Sequence, residues 1–204
     1  MTIRLHQGDL PSSVAPSPIV AIDTETLGLN PHRDRLCLVQ LSFGDGDVEL
    51  VQIARGQTRA PNLEKLLADP GTLKLFHFAR FDLAILAKTF GVMPGPVYCT
   101  KIASKLTRTY TDRHGLKELV RELAGVEISK QQQSSDWGAA TLSDAQQAYA
   151  ASDVLYLHAL KEKLDAMLAR EERTALAQAC FDFLPTRVRL DLDGWPETDI
   201  FSHE

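Results

Sequence analysis

Short apolar runs with two different periods alternate along the chain. Ile19-Val20-Ala21-Ile22 and Leu36-Cys37-Leu38-Val39-Gln40-Leu41 are nearly continuous, the pattern of strands buried on both faces. Strands are predicted over 18–23, 36–43, 48–53 and 73–77, with another short one after Gly95-Pro96. Gly44-Asp45-Gly46-Asp47 supplies turn chemistry between the second and third, which makes them an antiparallel hairpin. Helical spacing predicts segments over 62–68, 80–90, 100–106 and 116–124, and one long helix after Thr141-Leu142-Ser143. Ser143 and Gln146 have the spacing of a capping box, and Gly91 is placed to end the helix before it. The layout is that of an α/β domain: a mixed sheet flanked by helices over 1–190, followed by an acidic tail over 191–204. The tail carries Asp191, Asp193, Glu197, Asp199 and Glu204 with no Lys or Arg, and Trp195 and Phe201 are the groups able to dock it.

Composition narrows the class without naming a function. With 44% hydrophobic and 24% charged residues in 204, the chain reads as one soluble globular domain. Cys37, Cys99 and Cys180 lie far apart with no paired ligand spacing, which excludes a zinc ribbon and a disulfide framework and favours a reducing, cytoplasmic setting. The first ten residues hold no apolar leader core, and no stretch has membrane-spanning length. A net charge of −5 argues against a broad, unspecific hold on nucleic acid. Positions 101–121 nonetheless set six basic residues against two acidic ones, which is either a solvated helix face or a phosphate-binding strip.

Chemistry enters through four acids beside apolar segments. Asp23 and Glu25 are two apart at a strand end and share a face, offering paired oxygen ligands for a hard cation; turn or capping acids are the alternative. Asp82 opens a helix, where an acid also complements the dipole. Asp153 falls about three turns into the last long helix, one turn after Tyr149, so that a structural Tyr–Asp hydrogen bond is a second reading. Phe76 and Phe78 alternate with His77 and read as core.

Taken in order, Asp23-x-Glu25, Asp82 and Tyr149-x-x-x-Asp153 resemble the three motifs of the DEDD superfamily of 3′→5′ exonucleases. The tyrosine four before the last acid resembles the DEDDy branch; Ala148 stands where the other branch has histidine. Leu36 to Ser42, Ser135-Asp136-Trp137 and Tyr149 to Leu157 resemble ribonuclease D, over about positions 18–165. From the 204 residues, the C-terminal HRDC domains of ribonuclease D are not expected.

The resemblance implies an RNase H-like mixed sheet with its second strand antiparallel, and two divalent ions, Mg²⁺ or Mn²⁺. Asp23, Glu25 and Asp153 would hold one ion, Asp23 would bridge to the second, and Asp82 would support that second ion. It also implies hydrolysis of 3′-terminal phosphodiesters to nucleoside 5′-monophosphates, with Tyr149 orienting water. RNA 3′ ends are the favoured substrate and single-stranded DNA a further one, with no membrane partner; the oligomeric state is left open. Thr26 and Leu27 would meet the terminal nucleotide, although Leu27 reads equally as core. Gln40, His77, Arg80, Arg108, Arg113, Lys117 and Trp137 are the other expected substrate contacts, His77 and Trp137 having structural roles as alternatives. Two rival functions stand beside this one: a hydrolase of small nucleotides or short oligonucleotides, and a silent nucleic-acid-binding module.

Overall fold

The computed structural model describes residues 1–15, 17–129 and 131–203; Glu204 of the expected tail lies outside them. Six strands form one mixed sheet: β1 (Ile3–Gln7), β2 (Ile19–Thr26), β3 (Leu36–Ser42), β4 (Val48–Gln52), β5 (Leu73–Phe76) and β6 (Val97–Cys99). Their order is β1-β4-β3-β2-β5-β6. The expected hairpin is present, with β3 antiparallel to both β2 and β4, while β5 runs parallel to β2 and β6 parallel to β5. Every residue of β3 and β4 is buried, as the continuous apolar runs require of strands covered on both faces. β1, parallel to β4, is an addition to the predicted set: Ile3-Arg4-Leu5-His6 carries only two aliphatic side chains, too few to stand out.

The helices are α1 (Pro61–Ala68), α2 (Ala79–Phe90), α3 (Thr100–Thr107), α4 (Leu116–Leu119) with a π-helical turn at Val120–Ala124, α5 (Asp144–Leu155), α6 (Leu157–Arg170) and α7 (Thr174–Leu192). α5 starts at the capping box of Ser143 and Gln146 and packs on β2, β3 and β4; α2 packs against α7, and α3 against α6. Gly91 ends α2 in the left-handed conformation (φ 70°), where a Cβ would be strained.

The predicted long last helix is in fact three. Tyr156 (φ −99°, ψ −6°) interrupts it, and Asp153 therefore lies in the last turn of α5 instead of mid-helix. Neither Gly nor Pro occurs between 144 and 170 to announce that break. Glu172 (φ 56°) makes the second break, with the Arg173 amide donating to the Leu168 carbonyl in a Schellman-type closure. The boundary expected at 190/191 falls inside α7, and Asp191 is buried.

Candidate active site

The site grows from the C-terminal end of β2. Strand alternation turns Asp23 and Glu25 to one face, and the register sets Asp23 opposite Gln40 of β3. From that position the Gln40 side-chain amide donates to Asp23 Oδ2 at 3.3 Å. A bulge between Glu25 and Thr26 then carries the chain off the ladder toward Leu27. α5 lies across β2 and brings Asp153 to the pair, so that one carboxylate oxygen from each of Asp23, Glu25 and Asp153 lies within 4.8 Å of the others. Asp82, in the first turn of α2, is buried and accepts from the Thr24 hydroxyl at 2.7 Å. It lines the same cavity, of 660 Å³, together with Tyr149, but falls outside the three-oxygen cluster.

No Lys or Arg pairs with any of these four acids among the described residues. Hydrogen bonds from Thr24 and Tyr149 offset desolvation only in part, and for Glu25, Asp82 and Asp153 the neighbouring acids add repulsion. Burial pushes Asp23 up to about 7 and, with the charge of Asp23, Asp153 up to about 8. Glu25, desolvated and facing Asp23, Asp153 and Asp82, rises to about 10. Asp82 is raised well above the carboxylate range by burial and then by Asp23. Burial and Asp153 raise the Tyr149 phenol too, which keeps it protonated at neutral pH. Acid oxygens this close, desolvated and without an internal cation, fit a divalent ion: Asp23, Glu25 and Asp153 are the residues that would hold it.

Several expected substrate contacts line the cavity: Thr26, Leu27, His77, Lys117 and Trp137. Leu27 is about half exposed there, not core. Trp137 is buried, its indole 6.0 Å from the Tyr149 ring, and its Nε1 has no hydrogen-bond partner among the described residues. His77 Nδ1 lies 2.9 Å from the Thr100 hydroxyl. Burial, then Lys101, pushes its imidazole down to about 3, so it is neutral.

Four others do not reach the cavity. Gln40 is fully buried beneath Asp23. The Arg80 guanidinium forms a two-pronged pair with Asp191 at 2.5 and 2.6 Å and also donates to the Pro196 carbonyl. Arg108 is completely buried, paired with Glu122 and donating to the Ser104 hydroxyl and the Arg113 carbonyl. Arg113 is exposed on the loop after α3. Within the basic strip, Arg108 is thus structural.

Lys101 and Phe78, by contrast, do line the cavity. Lys101 was visible as the first member of the basic strip. Phe78 was disguised by its alternation with Phe76: β5 ends at Phe76, and Phe78 is left-handed (φ 70°) and exposed, not core.

A family model described as 3′-5′ exonuclease matches residues 8–169. The chain belongs to this exonuclease family. The chain is 40% identical over 161 residues to ribonuclease D of Acidiphilium cryptum, a match covering 78% of this chain and 40% of that protein. It spans about 40% of the length of the first curated relatives it matches. Over the full length of both chains it is similar to solved structures of Brucella melitensis NrnC: one with bound Mg²⁺ (64% identity, TM-score 0.96) and one bound to pGG (65%, 0.97). The RNase H-like architecture expected from the sequence is the one observed. No described helix is long and apolar enough to cross a membrane.

Proposed function

We propose that this exonuclease removes nucleotides from RNA 3′ ends, hydrolysing the terminal phosphodiester to release nucleoside 5′-monophosphates. The observation that carries the reading is the meeting of Asp23, Glu25 and Asp153 oxygens within 4.8 Å, uncompensated, in a cavity shared with Tyr149. Asp23, Glu25 and Asp153 would hold one divalent ion, and Asp23 with Asp82 would support a second, Mg²⁺ or Mn²⁺. When bound, such ions acidify water and stabilise the charge that develops on the departing 3′ oxygen.

The protein's own groups supply the rest. Tyr149, protonated and packed against Trp137, orients the attacking water by hydrogen bonding instead of taking its proton. Gln40 fixes the rotamer of Asp23 from beneath. Thr26 and Leu27 receive the terminal nucleotide, and neutral His77 offers a hydrogen bond without adding charge. Lys101 and Lys117 are the cations in the cavity wall, and they face the substrate phosphates.

A short substrate is the second reading. Two lysines suit few phosphates, and the similar NrnC has been solved bound to pGG. A degradation assay separates the possibilities. 5′-labelled RNA, single-stranded DNA and diribonucleotide, each with Mg²⁺ or Mn²⁺, are followed alongside 3′-phosphate-blocked RNA. Stepwise shortening of RNA that fails in EDTA and on the blocked substrate is expected. Internal cutting, or turnover without metal, overturns the exonuclease reading, and turnover of the diribonucleotide alone selects the short-substrate one.

A further inference from the structure

Phe78 combines three features that packing alone leaves unexplained. Its backbone is left-handed (φ 70°, ψ 46°), a region that bulky residues rarely enter. The residue is 46% exposed although it follows a buried strand. It also lies in the wall of the catalytic cavity, where Lys101 Nζ sits 4.3 Å from the ring centroid. A strained aromatic held at a reaction site with nearly half its surface in solvent is a device for contact, because the left-handed backbone costs energy that so partial a burial recovers poorly.

Sheet order fixes what Phe78 contacts. The strands run β3-β2-β5-β6, and the acids stand at the end of β2. Leu27 leaves β2 toward the β3 side, its amide donating to the Arg35 carbonyl and its Cδ2 so close to Gly138 that a Cβ there would come within 2.9 Å. Phe78 leaves β5 on the other side, with Lys101 from the helix after β6. Two exposed apolar groups therefore flank the acids along the sheet edge. A dinucleotide step seated with its phosphate on the acids has one base on each side.

We propose that Phe78 is the stacking platform for the base of the nucleotide 5′ to the scissile phosphate. Lys101 covers one face of the ring and directs its ammonium to that nucleotide's phosphate, leaving the other face to the base. This rests on the exonuclease reading above and adds to it a residue that grips the part of the substrate that is retained after cleavage.

The test compares pApApG with the same trinucleotide carrying an abasic ribose at its middle position, reading both Mg²⁺-dependent turnover and equilibrium binding in Ca²⁺. Phe78→Ala is expected to raise KM for pApApG about tenfold with kcat little changed, the lower end of what losing a base–aromatic stack costs. On the abasic substrate it should change nothing, and Phe78→Trp should restore binding of pApApG. Phe78→Gly should melt no lower than wild type, because it relieves the left-handed strain, yet bind pApApG as weakly as Phe78→Ala. Lys101→Gln should weaken both substrates alike, since both keep the phosphate. Equal losses for Phe78→Ala on the two substrates, or a wild-type enzyme indifferent to the missing base, overturn the platform; the latter comparison needs no variant to fold. A wild-type protein that binds pApApG in preference to the abasic analogue but never cleaves it overturns the exonuclease reading alone.

Discussion

Acids occupy two kinds of place in this fold, and they differ in what faces them. Asp191 and Glu122 answer arginines: burial alone would raise Asp191, yet Arg80 and Arg187 hold it below the usual carboxylate range, and Arg108 with Tyr110 does the same for Glu122. Asp23, Glu25, Asp82 and Asp153 answer no cation and are all raised. The first set is complete within the protein and braces helices; the second is completed by something the chain does not contain. Whether an acid meets an internal cation therefore separates framework from site more sharply than its burial does.

Removing an acid from the incomplete set is expected to have the largest effect. Asp153→Ala is expected to lower kcat/KM by more than the roughly hundredfold typical of losing an outer partner of a metal ligand, while the melting temperature of the metal-free protein rises because a carboxyl that burial disfavours in its charged form is gone. Wild-type turnover in Asp153→Ala would place the chemistry elsewhere.

The same four acids give the metal-free protein an inverted pH response. Unfolded, they titrate near about 4; folded, Asp23, Asp153 and Glu25 titrate at about 7, 8 and 10. Between those limits the folded state holds more protons than the unfolded one, so stability is full below about 4 and declines as pH rises. Thermal melts in EDTA from pH 5 to 9 should show that decline, and Mg²⁺ should reverse it increasingly toward high pH. A flat profile in EDTA would mean that an internal partner exists after all.

The complete set should behave oppositely. Arg108→Ala leaves Glu122 without its guanidinium and is expected to cost about 2 kcal/mol in denaturant unfolding, less than a fully buried pair because Glu122 is part-exposed. Its kcat/KM at low temperature should stay near wild type. A selective loss of substrate binding would restore Arg108 to the phosphate contacts.

Much of this was legible in the sequence because it was local. Period-two and continuous apolar runs mark β2 to β5, Gly44 to Asp47 marks the hairpin, and Ser143 with Gln146 marks the start of α5. The acids were legible through their order along the chain. What escaped depends on partners distant in sequence. Arg108 meets Glu122 and Arg80 meets Asp191, so two apparent phosphate contacts are structural. The strand alternation that made Phe78 look like core ends two residues before it, at a point no breaker residue marks.

The site is also distributed along the chain in a way that bears on when it can act. Its three-oxygen cluster needs Asp153, and the helix that carries Asp82 is fastened through Arg80 to Asp191. A ribosome-bound chain that has emerged only through Asp82 holds three of the four acids and none of the geometry. The cluster therefore assembles only once the chain through Asp153 has folded, with α2 braced from as far along as Asp191.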